Sequence, residues 1–363
     1  MKKFVSTFSA LSLCLILMGS GCFSFGGSSN SSAPGRSGPG GMFVSLDKGE
    51  TWTANSRLPK ADGVKSLQSL NVFKLFQDPS DPEAMYWSAT GRGMVYTYDG
   101  GRSWAQPAAV TGGTIYDVAV HPKDRCTIYI TNGKIISRTT DCSRHFETVL
   151  TYERDQIRSV DVDPFNVSTI TAVTEKGIVL QSKNAGVSWD RIATFSRSVQ
   201  VRDVYYDQFT DGLLYMATLR HGLYVSENGG DSWKSKREAI ADFAKANEYR
   251  RLYLHPSKPD TLFWISRYGI LKSEDRGDSW KAYELVTQPG VALINSFVVN
   301  KDNDQEMYYV AEVGSKGSLY YSSDGGNSWT TKKLPSDQMP TWLHLHPEDQ
   351  GRLYLGFTII LPQ

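Results

Sequence analysis

The sequence lacks an excess of charge of either sign. Its 363 residues contain 39 Lys and Arg against 38 Asp and Glu, so net charge gives no reason to expect nucleic-acid binding. Apolar residues make up 40% and charged residues 21%, which is typical of a globular protein with a large core rather than a disordered chain. Any electrostatic function must therefore come from how the charges are distributed.

Cysteine is also scarce, and two of the four cysteines lie within the first 22 residues. There, Lys2 and Lys3 precede an apolar run, residues 4–18, that is too short to span a membrane comfortably. The following "MGSGC" resembles a bacterial lipobox, in which the cysteine carries lipid. We interpret residues 1–22 as a signal peptide and expect an extracytoplasmic protein anchored to a bacterial membrane by lipidated Cys22. Cleavage elsewhere, or an uncleaved anchor, is the alternative.

Residues 23–40 are rich in Gly, Ser and Pro and lack the apolar residues that a core requires. Such a composition is typical of a flexible tether. We therefore expect the folded domain to occupy residues 41–363.

One eight-residue pattern occurs seven times, at intervals of 42 to 52 residues. Its copies are "SLDKGETW", "TYDGGRSW", "TTDCSRHF", "SKNAGVSW", "SENGGDSW", "SEDRGDSW" and "SSDGGNSW". The third position holds Asp47, Asp99, Asp141, Asn184, Asn228, Asp275 or Asp324. Self-similarity at this period indicates a repeat architecture.

All seven copies resemble the Asp box of the BNR repeat families. These families include sialidases, two-propeller xyloglucanases, sortilin-type receptors and photosystem II assembly factors. The resemblance implies a β-propeller in which the box is a structural turn between the third and fourth strands of a blade. On this interpretation the acid accepts backbone N–H groups, Gly adopts positive φ and the Trp packs between blades.

Hairpin patterns precede every box except the first, and a last hairpin at residues 340–358 has no box after it. The unpaired box and the unpaired hairpin make a complete unit if the chain closes into a ring, which also removes exposed sheet edges. We therefore predict an all-β, seven-bladed β-propeller with four antiparallel strands per blade. The N-terminal strands would complete the sheet of the C-terminal hairpin.

Three histidines, His121, His255 and His346, align with the position that holds Asp or Asn in the other hairpin turns. A position that accepts Asp, Asn or His starts a turn, so we expect no metal site and no cofactor there. Cys126 opens the second predicted strand of its unit, and Cys142 follows the third strand, inside the degenerate third box. The hairpin formed by these strands brings the two cysteines close together. We predict a disulfide between them, because an oxidising compartment favours one.

Basic residues occupy one type of loop. By resemblance, ligands of these propellers meet the face formed by the loops between second and third strands, here called the top. Each such loop contains a base; these are Arg92, Lys134, Lys176, Arg220, Arg267 and Lys316. Box and hairpin turns, rich in Asp and Glu, would form an acidic bottom. Residues 234–251 have helical spacing and predict a short helix beside the top.

The first strand of each unit adds to the basic face. Five positions before the turn column, the units show Phe73, Tyr116, Arg158, Arg202, Arg250, Asn295 and Thr341. Arginines from three neighbouring blades would thus converge at the channel mouth beside Tyr116, with Arg251 next to them. Guanidinium groups bind carboxylate or phosphate in bidentate fashion, so we predict an anion or acidic-protein site.

Two functions remain open on the sequence. The first is a non-catalytic, membrane-tethered scaffold, a monomeric ring or a subunit of a larger complex, that binds an acidic protein or an anionic glycan or ligand. The alternative is a glycoside hydrolase resembling sialidases or xyloglucanases. Two carboxylates facing each other across a cleft beside the arginines would favour hydrolysis, and a basic rim without such a pair would favour binding.

Overall fold

The computed structural model describes residues 36–60 and 63–360. The predicted signal peptide with Cys22, and the tether as far as residue 35, lie outside the described residues. Residues 36–40, which we assigned to the tether, contact the domain: Arg36 forms an ion pair with Glu312, and Ser336 donates to the carbonyl of Pro39 at 2.7 Å. Within the described ranges, no helix has the length and apolar character that crossing a membrane requires.

Thirty strands account for a little under half of the described residues, and all but two belong to seven four-stranded sheets, the blades. The first four are β1 (Gly41–Ser45), β2 (Thr53–Ala54), β3 (Arg57–Lys60) and β4 (Gly63–Ser66). Blades 1 to 3 comprise β5 (Val72–Gln77), β6 (Met85–Ala89), β7 (Arg92–Thr97), β8 (Gly113–Thr114), β9 (Asp117–Val120), β10 (Ile128–Thr131), β11 (Ile135–Thr139), β12 (Glu147–Thr151), β13 (Ile157–Val162), β14 (Ile170–Thr174), β15 (Ile178–Ser182) and β16 (Asp190–Thr194).

The remaining blades follow the same order. Blades 4 to 6 comprise β17 (Val201–Tyr206), β18 (Leu214–Thr218), β19 (Leu223–Ser226), β20 (Lys234–Ser235), β21 (Tyr249–Leu254), β22 (Leu262–Ser266), β23 (Ile270–Ser273), β24 (Lys281–Ala282), β25 (Leu293–Asn300), β26 (Asn303–Val313), β27 (Lys316–Ser322) and β28 (Thr330–Lys332). The last two strands are β29 (Met339–Leu345) and β30 (Leu353–Thr358).

Blade 7 closes the ring with strands from both ends of the described chain. Its order is β2-β1-β30-β29, and β1 pairs antiparallel with β30 from Gly41 opposite Phe357 to Ser45 opposite Leu353. The hydroxyl of Thr341 donates to the carbonyl of Val72 at 2.8 Å, which joins blade 7 to blade 1. The predicted seven-bladed propeller and its closure are confirmed.

Two local features depart from the repeat. Strands β3 and β4 form a separate hairpin between blades 7 and 1. In blade 1 the two-residue outer strand β8 runs parallel to β7, while an antiparallel bridge joins Tyr96 to Ala105. The hairpin lies within the long connection between β2 and β5, and β8 comes after the long connection that follows β7.

The core lies between neighbouring blades rather than inside any one of them. One apolar cluster combines Leu213 and Tyr215 of blade 4 with Trp264 and Leu271 of blade 5. Further clusters join other neighbouring blades in the same way. Each blade therefore supplies half of two interfaces, and no blade can bury its own apolar faces alone.

The seven boxes are structural turns. In every copy the third-position oxygen accepts the backbone N–H of the residue four positions later, at 2.8 to 3.0 Å. Two successive residues adopt positive φ, such as Lys48 (φ 59) and Gly49 (φ 86) in the first box. Only Gly takes this conformation without a steric penalty. The third box pays that penalty at Cys142 (φ 58) and Ser143 (φ 67).

The box tryptophans pack against the interfaces between blades. Trp104 and Trp280 are buried, and the other four are half-buried. The indole N–H of Trp189 donates to the carbonyl of Val149 in the preceding blade at 3.0 Å. The predicted packing role is confirmed, although four of the six rings keep part of their surface exposed.

The predicted disulfide between Cys126 and Cys142 is present, with a sequence separation of 16 residues. A cross-link of this loop length restricts the unfolded chain and stabilises the fold by about 3 kcal/mol. We expect the double variant Cys126→Ser, Cys142→Ser to lose about that much free energy of unfolding, measured by urea titration. A reductant should destabilise the native protein to the same extent and leave the double variant unchanged. Equal stabilities of the two proteins without reductant would contradict this.

The helix predicted for residues 234–251 is wrong. The structure has one 3-10 turn, Arg237–Ile240, followed by further turns with backbone bonds between residues three apart. Lys245 adopts φ 66, which ends any helical run. Burial of Ile240 and Ala246 in the interface between blades 4 and 5 pulls the segment inward, and this packing outweighs its helical propensity.

Candidate functional site

The inner strands of the seven blades surround a central channel with a cavity of about 700 Å³. These strands are β5, β9, β13, β17, β21, β25 and β29, each of which starts at the top and runs toward the bottom. Aligning them at the turn that ends each strand divides the channel wall into three layers of seven residues. We call these layers the upper, middle and lower rings.

The upper ring is the column that the sequence identified. It consists of Phe73, Tyr116, Arg158, Arg202, Arg250, Asn295 and Thr341. In six of the seven inner strands, pairing with the second strand skips this residue, which marks a β-bulge. A bulge turns a side chain out of the regular alternation and is common beside binding sites. The first five residues of the ring line the cavity, and the remaining two bond to neighbouring backbone instead.

The three predicted arginines do converge at the channel mouth. Burial and the neighbouring charge of Arg202 lower the pKa of Arg158, and burial and the charge of Arg267 lower the pKa of Arg250. The guanidinium of Arg158 lies 4.8 Å from the ring centroid of Tyr116, and its only side-chain hydrogen bond is long, at 3.5 Å to Gln156. Its Nε is buried and has no acceptor among the described residues.

Arg202 and Arg250 complete this upper vestibule, which we define as the cavity lined by the upper-ring residues. Arg202 bonds to the carboxylate of Glu175 at 3.0 Å. Arg250 is exposed as a whole residue although its guanidinium is partly desolvated, and its side chain bonds to no other described residue. Since like charges repel, holding three guanidinium groups here leaves the vestibule suited to an anion.

The predicted basic loops lie on the same face. Each falls between the second and third strands of a blade or starts the third strand, next to the beginning of an inner strand. Five of these bases are exposed and form no ion pair with another described residue: Arg92, Lys134, Lys176, Arg220 and Lys316. Arg267 is half-buried and near Arg250. The five exposed bases form a solvated rim around the arginine cluster.

The middle ring was not recognised from the sequence. It consists of Lys74, Asp117, Ser159, Asp203, Arg251, Ser296 and Trp342. Lys74 Nζ lies 2.7 Å from an oxygen of Asp203 and 3.3 Å from an oxygen of Asp117. The hydroxyl of Tyr249 donates to Asp203 at 2.7 Å, and that of Ser159 donates to Asp117. Bonded pairs up to 129 positions apart in the sequence thus join into one buried ionic network.

Electrostatics keep this network charged. Burial opposes the charge of Lys74, but Asp117 and Asp203 outweigh it and raise the pKa of the lysine. Burial likewise opposes the charge of Asp203, yet Lys74 and Tyr249 lower its pKa. For Asp117, burial prevails over Lys74 and raises the pKa. The lysine is therefore the cation on which both carboxylates depend.

Arg251, predicted as part of the binding cluster, belongs to the middle ring. Its guanidinium donates to the carbonyls of Asn295 at 2.5 Å and Thr341 at 2.8 Å, and it lies 3.9 Å from the ring centroid of Trp342. These contacts tie blade 5 to blades 6 and 7. Its donors serve the ring itself, so we assign Arg251 a structural role and remove it from the binding cluster.

The lower ring surrounds the bottom part of the channel. It consists of Phe76, Ala119, Asp161, Tyr205, Tyr253, Val298 and His344, all of which line the cavity. His344 bonds to Gln77 at 3.0 Å, and burial lowers its pKa to about 4, which keeps the imidazole neutral. Aromatic surface dominates this ring, with one carboxyl group.

Several acids of the channel and of the top are bonded to cations. Glu175 pairs with Arg202 and Glu312 pairs with Arg36, while Asp117 and Asp203 share Lys74. In the upper and middle rings, as far as the structure describes them, no carboxylate is without a cation.

The bottom face is less acidic than the sequence predicted, because cations of the same face pair with its carboxylates. Glu83 pairs with Arg352 at 2.7 Å, and Glu306 pairs with Lys48 at 2.9 Å. Sequence counting assigned the acids of the turns to this face and overlooked these partners. The difference in charge between the two faces therefore comes from the basic residues of the top.

The histidine column caps turns, as predicted. His255 Nδ1 accepts the backbone N–H groups of Ser257 at 3.2 Å and Lys258 at 3.1 Å. Asp163 does the same in blade 3, for Phe165 at 2.9 Å. In the part of the chain that the structure describes, no cluster of three or more His, Cys, Asp or Glu side chains has the geometry to hold a metal ion.

Comparisons with known proteins agree with this architecture. The family model of sortilin and neurotensin receptor 3 matches residues 177–269, from the start of β15 to the loop after β22. A search of curated proteins found no match. A GH74 xyloglucanase from Xanthomonas campestris superposes with a TM-score of 0.63 and 16% identity, over 80% of this chain and 51% of that enzyme. This chain therefore spans about half the length of the xyloglucanase.

Two structures of YCF48 are similar over nearly their whole length. YCF48 from Cyanidioschyzon merolae has a TM-score of 0.62 and 14% identity, over 80% of this chain and 96% of its own. YCF48 bound to a D1 peptide has a TM-score of 0.60 and 14% identity, over 80% and 93%. These likenesses show the shared fold. At such identities they carry no information about activity.

Proposed function

We propose that this protein is a binding scaffold whose upper vestibule recognises a carboxylate-bearing segment of an acidic protein partner. One observation carries the proposal: three neighbouring blades use the same β-bulge to direct Arg158, Arg202 and Arg250 into one cavity. Arginine forks match carboxylates in bidentate geometry. Arg158, whose one side-chain hydrogen bond to another described residue is long, and Arg250, which has none, carry donors available to such a ligand.

The surroundings of the vestibule support the same partner. The exposed bases of the rim attract an acidic chain over distances of about 8–10 Å at physiological salt and raise its rate of encounter. The rings of Tyr116 and Phe73, whose centroids lie 6.2 Å apart, provide apolar surface beside the arginines. One similar propeller, YCF48, is bound to a peptide, which is a precedent for peptide binding on this fold.

The hydrolase alternative has less support. A glycosidase needs two carboxyl groups with separate roles at the reacting bond. Glu175, Asp117 and Asp203 are each bonded to a cation, and the GH74 enzyme that this chain resembles is about twice as long. An anionic glycan or other small anion remains compatible with the same arginine chemistry as a ligand.

The proposal includes a location. We propose that the protein is exported and held at a bacterial membrane by lipid on Cys22, as its N-terminal sequence suggests. Arg36, which pairs with Glu312 at the top end of β26, is where the chain joins the domain. A partner that meets the vestibule would then approach on the face where the tether enters.

A peptide-binding measurement tests the vestibule. A fluorescent hexa-glutamate peptide with a free carboxyl terminus should bind the native protein, and hexa-glutamine should not. We expect the triple change Arg158→Ala, Arg202→Ala, Arg250→Ala to weaken binding by roughly a hundredfold or more, because charge-assisted hydrogen bonds contribute about 1.5–3 kcal/mol each. Fluorescence anisotropy at fixed salt would measure this.

The matched control removes the same charge from the rim. Changing Arg92, Lys134 and Lys316 to Ala should weaken binding only severalfold, and this loss should fade at high salt. An equal loss in both triple variants would show that binding is unspecific attraction and would refute the vestibule. A pull-down with the native protein and the vestibule variant would then identify the natural partner.

A further inference from the structure

The lower part of the channel belongs to the same cavity as the upper vestibule but is lined by different residues, those of the lower ring. We call it the lower chamber. The lower ring lies three positions along each inner strand from the upper ring, which corresponds to about 10 Å. The charged middle ring lies between the two. The wall of the lower chamber includes the aromatic rings of Phe76, Tyr205 and Tyr253, and Phe209 lines the same cavity toward the bottom. Nothing in the proposed function uses this chamber.

One carboxyl group in this chamber has no counter-cation. Asp161 accepts the backbone N–H of Val162 at 2.9 Å and that of Tyr206 at 2.8 Å. No described Lys, Arg or His side chain bonds to it. Asp117 and Asp203, one ring higher, both have Lys74. Of the carboxyl groups in the three rings, Asp161 is therefore the one to which no described side chain brings a positive charge.

The missing counter-cation affects the pKa of Asp161. Burial raises the pKa of Asp161 to about 7, against the two backbone donors that lower it, and the charges of Asp117 and Asp163 raise it further. The hydroxyls of Tyr205 and Tyr206 are the other titratable groups near it, and burial raises the pKa of both. Near neutral pH this carboxylate is therefore half ionised, and a bound cation would favour its charged form.

The aromatic wall suits a cation. Elsewhere in the channel, Lys74 Nζ lies 5.8 Å from the ring centroid of Phe76 and the guanidinium of Arg251 lies 3.9 Å from that of Trp342. Tyr205 and Tyr253 face the same cavity without such a partner among the described residues. Aromatic faces next to a carboxylate are the groups by which proteins recognise organic ammonium ions.

We propose that the lower chamber binds a small organic cation carrying an ammonium group, with Asp161 as its counter-ion and the rings of Tyr205 and Tyr253 as its walls. The cavity is of the size that accommodates small molecules. The site shares no residue with the arginine cluster, which lies on the other side of the charged middle ring.

Choline and its uncharged isostere 3,3-dimethylbutan-1-ol test the proposal, because they share a shape and differ in charge. We expect calorimetric titration of the full chain at pH 8 to show choline binding at least tenfold tighter than the isostere. At pH 6 the affinity for choline should fall several-fold, since Asp161 takes up a proton below its pKa. Equal binding of the two compounds, or no binding of choline, would overturn the proposal.

Two variants locate the site. Asp161→Asn removes the charge, and Tyr205→Leu removes one aromatic wall while leaving the carboxyl group in place. Each should weaken choline binding at least tenfold in protein that retains the native circular dichroism spectrum. Unchanged binding in either folded variant would contradict the site. The vestibule triple variant should bind choline normally, so failure of one proposal is distinguishable from failure of the other.

Discussion

Ending the chain at Asp337 is expected to abolish cooperative folding. The shortened protein would lose β29 and β30, leaving β1 without its partner and blades 1 and 6 without a neighbour. Fully or almost fully buried side chains go with them: Leu343, Leu353, Tyr354, Leu355 and Phe357. At about 1.5–3 kcal/mol each, their burial contributes on the order of 10 kcal/mol, which is comparable to the whole stability of a typical domain. Circular dichroism and urea unfolding would measure the loss.

A circularly permuted chain is the matched control, because it keeps every strand and moves only the ends. It would begin at Ser315, join Gln363 to Arg36 through a short Gly-Ser linker, and end at Gly314, in the exposed loop between β26 and β27. Gly41 lies opposite Phe357, so the strands next to the new junction are already paired. The permuted chain should unfold cooperatively near the native midpoint. Cooperative folding of the shortened chain with native stability would contradict the importance of closure.

Replacing Lys74 by Met is expected to lower the free energy of unfolding at pH 8 by about 3–5 kcal/mol, because breaking a buried ion pair leaves uncompensated charge. The variant would retain Asp117 and Asp203, two carboxylates that both depend on this ammonium group. Without the lysine the folded-state pKa of each acid would lie above its unfolded value. Stability from their protonated forms is then fully present below pH 3.8 and lost as pH rises through the raised pKa. The deficit should therefore be smaller at pH 5 than at pH 8.

Two further proteins separate charge from packing. The triple variant Lys74→Met, Asp117→Asn, Asp203→Asn removes all three charges and should recover much of the lost stability. Lys316→Met, at an exposed position of the rim, should change stability by less than about 0.5 kcal/mol. Native stability of the single Lys74 variant at pH 8 would show that the ionic network does not hold the inner strands together.

Both the repeat and its closure could be predicted from the sequence, because the signals that specify them are local. A box needs an Asp or Asn, two residues that accept positive φ and an aromatic residue within eight positions, so its seven copies can be recognised from the sequence alone. The unpaired first box and the unpaired last hairpin then require a ring. Local spacing likewise brought Cys126 and Cys142 together across one hairpin.

Prediction failed where distant contacts decide. Residues 234–251 have the composition of a helix, yet the interface between blades 4 and 5 imposes turns on them. The middle ring was missed because strict alternation sends successive residues to opposite faces of a strand. A β-bulge in six of the seven inner strands breaks this alternation, and in β5 it places both Phe73 and Lys74 in the channel wall. The signal that could have revealed the middle ring was a column of charged residues at positions that alternation assigns to the blade interior.

The sequence by itself determined the number of blades, the turn that ends each third strand and the face on which the basic loops lie, since each of these follows from residues close together in the chain. Only the tertiary structure decided which arginines bond to the inner strands themselves and which bond to no other described residue. Arg250 and Arg251 are adjacent in sequence, but the bulge leaves the first exposed and sends the second to the carbonyls of blades 6 and 7. That choice depends on how seven inner strands meet around one axis, which no local pattern encodes.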